Sequence, residues 1–189
     1  MSKHDLRRLM KAKLSLLDVS VKTNKSSSIS KNLESLLSEL HVIQKKICIG
    51  TFAPIAHEPL WYLELSEEYQ KLTSYPAYDT ETKVMTFKMA RMSDLKVKKD
   101  FGYDILGPSE DAAESKPDVI LIPGLAFSKK GERLGRGKGF YDKYLSEYRG
   151  VKIGICFEVQ LIDQIPTEIH DVHLDFIVTE ERIIKCKLA

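Results

Sequence analysis

Cysteine and tryptophan are scarce in this 189-residue chain, which contains three cysteines and one tryptophan. Cys48, Cys156 and Cys186 lie far apart and form no Cys-x-x-Cys pair. An odd number of widely spaced cysteines argues against a disulfide-stapled secreted domain and against a zinc site. The sequence therefore predicts reduced thiols and a cytoplasmic protein.

The chain also lacks long hydrophobic segments and a large charge of either sign. No apolar run approaches the roughly 20 residues that span a bilayer, and the N-terminus has no apolar signal core. With 29 basic and 27 acidic residues, the net charge of +2 does not by itself indicate nucleic-acid binding. We therefore expect no membrane or nucleic-acid partner, and a monomer with a single domain over residues 1–189.

Apolar strand-like runs alternate with helical patterns along the chain. Leucines at helical spacing predict a first helix near the N-terminus, with Ser2 as its N-cap, and a second one ending near Leu40. The polar segment 20–30 between them is a loop or a helix start. Strands are predicted at residues 47–52, 72–75, 84–90, 119–122, 151–156, 176–179 and 182–187. Residues 102–108 are predicted to be a turn-rich loop. The order of elements predicts an α/β fold: a single-domain three-layer sandwich with a mostly parallel sheet and helices on both faces.

Residues 119–145 carry the strongest functional pattern. A buried strand, Val119–Ile122, is followed by a loop with glycines at Gly135, Gly137 and Gly139, and then by a helical pattern. Interleaved cations include Arg133, Arg136 and Lys138. A strand, a basic glycine-rich loop and a helix form an arrangement that binds phosphate, because backbone N–H groups and the helix start can face the anion.

This loop matches neither of two common nucleotide signatures. A P-loop has a second glycine five positions before the glycine that precedes its lysine. If Gly137-Lys138 were that pair, the second glycine would be at position 132, which is Glu132. In the dinucleotide fingerprint a third glycine would occupy the position of Phe140. A flexible, solvated surface loop is the competing interpretation.

Two further segments carry candidate binding residues. The cations of the first helix, Lys3 and Arg7 among them, are by themselves typical of a solvated helix face. Lys3 and Arg7 lie four residues apart and so share one face of that helix. Glu58 lies in a predicted strand-to-helix loop, where α/β proteins place ligands. It either accepts hydrogen bonds from a substrate or caps a helix beginning near Leu60.

Three blocks of the sequence resemble 5-formyltetrahydrofolate cyclo-ligases, also called methenyltetrahydrofolate synthetases. The blocks are Lys3-His4-Asp5-Leu6-Arg7, the segment from Pro123 to Leu145 (PGLAF followed by GERLGRGKGFYDKYL), and PTEIHDVHLD at 166–175. The usual second block has two tyrosines before its aspartate, whereas this chain has Phe140-Tyr141. In the third block His173 replaces a proline, and His170-Asp171 is interpreted as loop-stabilising or adjacent to substrate.

The resemblance implies ATP- and Mg²⁺-dependent conversion of 5-formyltetrahydrofolate to 5,10-methenyltetrahydrofolate, ADP and phosphate, through phosphorylation of the formyl oxygen. Carried over by position, the catalytic residues are Arg136, Lys138 and Tyr141. The ATP-binding residues are Lys3, His4, Asp5, Leu6, Arg7, Arg133, Leu134, Gly135, Arg136, Gly137, Lys138, Gly139, Phe140 and Tyr141. The substrate-binding residues are Arg7, Glu58, Arg136, Gly137, Lys138, Gly139 and Phe140.

The resemblance also implies that Asp142 and Asp175 contact magnesium, which prefers oxygen ligands. From sequence alone, Asp142 is equally a first-turn acid at a helix N-terminus, and Asp175 is equally a turn residue entering a strand. Two alternatives to the cyclo-ligase reaction stay open. One is another ATP-dependent small-molecule kinase or ligase. The other is a basic nucleic-acid-binding module in which Phe127, Phe140 and Tyr141 stack on bases.

Overall fold

The computed structural model describes residues 1–55, 57–100, 103–168 and 171–186. Two helices precede the first strand, a short one follows it, and another comes after the glycine loop. The helices are α1 (Lys3–Ser15), α2 (Val19–Glu39), α3 (Glu67–Gln70) and α4 (Phe140–Glu147), with 3₁₀ turns at Met92–Asp94 and Glu158–Gln160.

Helix α1 begins at the predicted cap and packs through one narrow face. The backbone N–H of Asp5 donates to Ser2 Oγ over 3.1 Å, which satisfies one of the unpaired donors at the helix start. Leu6, Met10 and Leu14 are buried at four-residue spacing. The basic side chains of α1 therefore remain outside the core and can meet other loops.

Helix α2 extends through the polar segment 20–30, because two serines there have buried partners. Ser26 Oγ accepts from the backbone N–H of Leu60 over 3.0 Å. Ser30 Oγ donates to the Trp61 carbonyl and accepts from the backbone N–H of Glu64. Both serines are fully buried, so α2 supplies the hydrogen bonds that an irregular connection after the first strand needs.

The strands form one large sheet and two small antiparallel pairs. The large sheet contains β1 (Ile49–Gly50), β2 (Thr73–Asp79), β3 (Val84–Met89), β6 (Glu114–Ser115), β7 (Val119–Ile122), β10 (Val151–Ile155), β11 (Phe176–Val178) and β12 (Ile183–Lys185). The small pairs are β4 (Lys96–Asp100) with β5 (Tyr103–Gly107), and β8 (Ala126–Phe127) with β9 (Arg133–Leu134).

The large sheet has the order β12-β11-β10-β7-β1-β2-β3-β6. Its five central strands, from β11 to β2, are parallel, and the outer pairings are antiparallel. The carboxyl ends of the parallel strands therefore meet at one edge. The connections after β1 and β7 leave from that edge.

Helices cover both faces of the sheet. Val119 and Leu121 of β7 pack in the core that contains the buried faces of α1 and α2. Ile120 and Ile122 belong to the second core, with Phe140 and Leu145 of α4. Alternate residues of one strand thus face opposite helical layers, and the predicted α/β fold with helices on both faces is confirmed.

Two local predictions were wrong. The strand that begins near Leu72 was predicted to end at Tyr75, before Pro76, but β2 continues to Asp79. Strand β1 pairs only with Thr73 and Ser74 of β2, whereas β3 pairs with β2 from Ser74 to Asp79. A proline that lacks an N–H is tolerated where one side of a strand has no neighbour. Residues 102–108 were predicted to be a turn-rich loop, yet Tyr103–Gly107 forms a strand of the β4–β5 hairpin.

None of the helices in the described ranges has both the length and the apolar composition of a membrane-spanning segment.

Candidate functional site

Two connections at the carboxyl edge of the sheet meet in a buried ion pair. Glu58 follows β1, and Arg136 lies in the glycine loop after β7. The Nε and Nη2 atoms of Arg136 both donate to Glu58 Oε1, over 3.0 and 2.9 Å. The side chain of Glu58 is only 6% exposed, so its charge depends on this guanidinium. Burial raises the pKa of Glu58, and Arg136 opposes that rise.

Glu58 does not cap a helix. The chain continues in turns, and α3 begins only at Glu67 with Ser66 as its N-cap. Glu58 Oε2 instead accepts from the backbone N–H of Ile55 over 3.0 Å, which closes the loop on itself. Oε2 of Glu58 therefore holds the loop after β1, while Oε1 faces the glycine loop.

The glycine loop needs its glycines for two different reasons. A Cβ atom at Gly135 would lie 2.9 Å from Nη1 of Arg133, so glycine lets the guanidinium pass close to the backbone. Gly139 is the N-cap of α4 and has a φ of 79°, a conformation that other residues adopt only with strain. The loop therefore turns sharply into α4 and leaves the helix start facing the site.

Arg133 is a buried cation beside this helix start. Its side chain is 6% exposed, and its Nη2 contacts Asp142 Oδ1 in the first turn of α4. Nη1 donates to the Pro123 carbonyl over 3.2 Å, and the guanidinium lies 5.7 Å from the ring centre of Tyr141. Asp142 itself is 54% exposed, so a ligand can reach its carboxylate from solvent.

Aromatic residues form the wall next to these charges. Burial raises the pKa of Tyr141 well above its ordinary value, and the neighbouring Tyr78 and Glu58 add to the rise. The phenol therefore keeps its proton and can donate a hydrogen bond, but it cannot act as a base. The ring of Phe140 meets that of Tyr78 edge to face, with centroids 5.2 Å apart. Sequence analysis missed Tyr78, because the strand was predicted to end before it.

The first helix brings two of its five predicted ATP-binding residues to the site. The Nε of Arg7 donates to the Gly135 carbonyl over 2.9 Å. Lys3 Nζ lies 2.8 Å from Asp171 Oδ2, in the third motif block. The other three face elsewhere: His4 and Asp5 are exposed, and the side chain of Leu6 is in the core. Leu134 of the glycine loop is also in the core, and Lys138 is exposed.

The structure does not bring the two predicted metal ligands together. Asp142 lies beyond the carboxyl end of β7, whereas Asp175 enters β11 at the opposite edge of the sheet. There Asp175 accepts from the backbone N–H of Lys152 over 2.7 Å and pairs with Lys152 Nζ over 3.0 Å. A single ion shared by Asp142 and Asp175 does not fit this arrangement. Across the described ranges, no cluster of three or more histidine, cysteine or acidic side chains could hold a metal.

His57 is a second residue to which the sequence gave no role. Its φ of 72° is unusual for a residue other than glycine, and it directly precedes Glu58. Lys22 Nζ lies 3.1 Å from its Nδ1. Burial and the charges of Lys22 and Arg136 lower the pKa of His57, so the ring is neutral at neutral pH. His170 of the third block lies outside the described residues.

A groove of about 1220 Å³ runs beside α4. Phe140 lines one part of it, together with Met85, Phe87 and Tyr144, and Lys83 and Lys143 are also on its walls. Phe140 thus connects the groove to the Tyr78–Tyr141 wall of the charged site. The site as a whole offers a buried carboxylate and a phosphate-type loop, next to a groove that Phe140, Phe87 and Tyr144 help to line.

Residues 1–180 match the family model described as "5-formyltetrahydrofolate cyclo-ligase family". The chain belongs to this family. The resemblance inferred from the three motif blocks is therefore confirmed.

Named relatives agree with membership of the cyclo-ligase family. The chain is 38% identical over 85 residues to the probable 5-formyltetrahydrofolate cyclo-ligase of Schizosaccharomyces pombe, covering 38% of this chain and 42% of that protein. The mitochondrial 5-formyltetrahydrofolate cyclo-ligase of Arabidopsis thaliana is 24% identical over 96% of this chain and 75% of that protein. The match to the S. pombe relative thus spans less than half of its length.

The fold also matches that of a solved relative. The NMR structure of Aquifex aeolicus 5,10-methenyltetrahydrofolate synthetase superimposes with a TM-score of 0.78 and 25% identity, covering 100% of this chain and 95% of that one. The cyclo-ligase family is thus supported by motifs, by sequence similarity and by the arrangement of the strands.

Proposed function

We propose that this protein converts 5-formyltetrahydrofolate to 5,10-methenyltetrahydrofolate, with conversion of ATP to ADP and phosphate. Family membership supports the proposal, and the contact between Glu58 and Arg136 carries it. This ion pair joins a carboxylate suited to the N–H donors of a pterin to a cation of the phosphate loop. A reaction between a folate and a triphosphate requires both ligands to meet at such a point.

The chemistry begins from a poor leaving group, the oxygen of an N-formyl amide. This oxygen attacks the γ-phosphorus of ATP, and the bond from that phosphorus to ADP breaks. N10 of the folate then attacks the activated formyl carbon and loses its proton. Phosphate departs with the former formyl oxygen, and the five-membered ring closes. The protein contributes mainly positioning and charge neutralisation to such a sequence.

The residues of the site divide between these tasks. We assign Arg136 and Lys138 to the transferring phosphoryl group, and Lys3, Arg7 and Arg133 to the rest of the triphosphate. Glu58 accepts hydrogen bonds from the pterin. Gly137 and Gly139 bring the backbone close to both ligands, Phe140 packs against the folate, and Tyr141 donates a hydrogen bond from its protonated phenol. His4, Asp5, Leu6 and Leu134 support the fold of these elements instead of contacting ATP.

Magnesium fits this site through Asp142. Proteins usually hold Mg²⁺ with one or two carboxylates, and the phosphates and water supply the other oxygens. Asp142 offers a half-exposed carboxylate at the helix start beside the glycine loop. When bound, the ion would neutralise charge on the phosphates. Asp175 is already held by Lys152 at the other edge, and we assign it no metal role.

The groove beside Phe140 suits the remainder of the folate. A pterin at Glu58 would direct its benzoylglutamate part along Phe140 toward Lys83 and Lys143. Lys143 Nζ lies 3.4 Å from the Thr82 carbonyl, which places these two lysines at the same end of the groove. Two cations there match the carboxylates of a glutamate tail.

Changing Lys143 to glutamine is expected to raise the KM for the folate about two- to fivefold and to leave the KM for ATP unchanged. The range corresponds to the modest free energy of an exposed ion pair. Initial rates with each substrate varied in turn measure the effect. Lys45→Gln is the matched control, since Lys45 lines the groove from the connection before β1. Equal shifts for Lys143→Gln and Lys45→Gln would place the folate tail elsewhere.

The proposed reaction has a direct optical test. Incubation with 5-formyltetrahydrofolate and MgATP is expected to produce the absorbance of the methenyl product, and omission of ATP to abolish it. No product at high enzyme concentration would overturn the proposal. ATP hydrolysis with another acceptor would instead favour a different small-molecule kinase or ligase. RNA binding with a steep salt dependence and no turnover would favour the nucleic-acid module.

We further propose that the chain works as a single-domain monomer in the cytoplasm. The three cysteines are free thiols, as expected for a reducing compartment. Light scattering of the purified protein tests the oligomeric state, and a dimer would contradict it.

A further inference from the structure

The carboxylate of Asp171 makes two contacts through one oxygen. Oδ2 accepts from the backbone N–H of Glu168 over 2.8 Å. The same atom lies 2.8 Å from Lys3 Nζ, while Glu168 Oε1 lies 3.1 Å from that ammonium. Asp171 therefore ties the connection between β10 and β11 to the first turn of α1.

Helix α1 is thereby held at two points on one face. Arg7, one turn further along, donates to the Gly135 carbonyl in the glycine loop. Because residues four apart share a helix face, the two contacts together fix how the basic face of α1 meets that loop. Together with the buried side chain of Leu6, these two contacts fix the position of the amino end of α1.

The surroundings keep Asp171 charged. Burial opposes its ionisation, but the hydrogen bond from Lys3 and the charges of Lys3 and Arg133 lower its pKa below the ordinary value. On the other side of the pair, burial opposes the charge of Lys3, and the hydrogen bonds to Asp171 and Glu168 raise the pKa of Lys3 overall. The pair is thus fully charged at neutral pH.

We propose that Asp171 is a positioning residue for the nucleotide, which holds Lys3 and the amino end of α1 against the glycine loop. This inference rests on the proposed function, because it needs a triphosphate at that loop. A lysine ammonium has three donors, so two carboxylate contacts leave one N–H for a phosphate oxygen. Fixing the long lysine side chain before the ligand arrives removes an entropy loss from nucleotide binding.

Asp171→Asn is the test substitution, because the amide oxygen can still accept from the backbone of Glu168 while the charge is lost. Calorimetric titration with magnesium and adenylyl imidodiphosphate, a non-hydrolysable ATP analogue, is expected to show an affinity about five- to tenfold weaker. The KM for the folate should stay within about twofold. Hydrogen exchange should become faster in residues 3–15.

Two further variants separate positioning from a general loss of structure. Glu168→Gln is the matched control, since the Glu168 side chain is 71% exposed and its contact with Lys3 is screened by water. We expect it to change nucleotide affinity less than about twofold. Lys3→Met combined with Asp171→Asn should bind the analogue no more weakly than Lys3→Met alone, because both changes remove the same interaction.

The outcomes are distinct. Tighter nucleotide binding by Asp171→Asn would mean that Asp171 competes with phosphate for Lys3, and it would overturn the proposal, as would unchanged binding. Equal weakening for folate and nucleotide would indicate a structural role only. If Asp171→Asn does not fold, Lys3→Met removes the same ion pair by changing its other member. Normal binding of the ATP analogue by Lys3→Met would then refute the proposal.

Failure of the proposed reaction can be told apart from failure of this inference. Nucleotide binding without any methenyl product would overturn the proposed reaction. The titration with the ATP analogue would still test the role of Asp171. Absence of nucleotide binding by the unchanged protein would overturn the role of Asp171 as well.

Discussion

Asp142→Asn is expected to lower kcat about a hundredfold while the protein stays folded. Loss of a charged metal ligand removes several kcal/mol of transition-state stabilisation, and about 1.4 kcal/mol corresponds to a factor of ten. Stability should change by less than about 1 kcal/mol, because the Asp142 side chain is 54% exposed and the asparagine oxygen can still accept from Arg133. Initial rates at several magnesium concentrations and thermal unfolding measure the two effects.

Glu147→Gln is the control for this substitution, because Glu147 is an exposed acid at the other end of α4. It should leave kcat and the magnesium dependence unchanged. Normal turnover of Asp142→Asn at low magnesium would mean that Asp142 serves only the helix start. A large drop in thermal stability would mean that its contact with Arg133 is structural.

The central part of the fold was predictable because its signals are local. The apolar run Val119–Ile122 is a strand, and Ser2 caps α1 as expected. The strand Tyr103–Gly107 was missed, because a glycine- and proline-flanked segment looks like a loop until its partner β4 is known. The start of α2 was ambiguous for the same reason: its buried serines have partners about 30 residues away.

Glu58 and Arg136 were both predicted from the loops that carry them, and the two residues meet in space. Their binding of ligands stays a prediction. The resemblance implied that Asp142 and Asp175 both contact magnesium, but motif similarity does not reveal which edge of the sheet each residue occupies. Tyr78 was not identified, and Asp171 was expected only to stabilise its loop or to lie adjacent to substrate, since their contacts with Phe140 and Lys3 join segments that are distant in sequence.

Removal of residues 1–8 would not isolate a nucleotide role of α1. Leu6 is buried in the main core, so this deletion would remove packing as well as the cations. Point substitutions at Lys3 and Arg7 are therefore the proper test of a nucleotide role for α1.

Glu58→Gln is expected to raise the KM for the folate about tenfold or more, and the KM for ATP much less. A charged acceptor strengthens each hydrogen bond from the pterin, and such a bond is worth about 1.5–3 kcal/mol. Glutamine keeps one oxygen, which can accept from Arg136, but its NH₂ group replaces the Oε2 atom that accepts from the backbone of Ile55. Thermal unfolding should therefore accompany the kinetics, to show that the variant keeps its fold. Initial rates with each substrate varied in turn, at fixed saturation of the other, measure the difference.

Two companion variants sharpen this test. Glu64→Gln makes the same chemical change at an exposed position of the same connection and should leave both KM values unchanged. Arg136→Lys keeps a positive charge but loses the two-pronged contact with Glu58, so it should raise the KM for both substrates. Equal increases for folate and ATP in Glu58→Gln would mean that the carboxylate acts only by holding Arg136. If neither KM changes, Glu58 does not contact the folate, and its role is to stabilise its own loop through the hydrogen bond from Ile55.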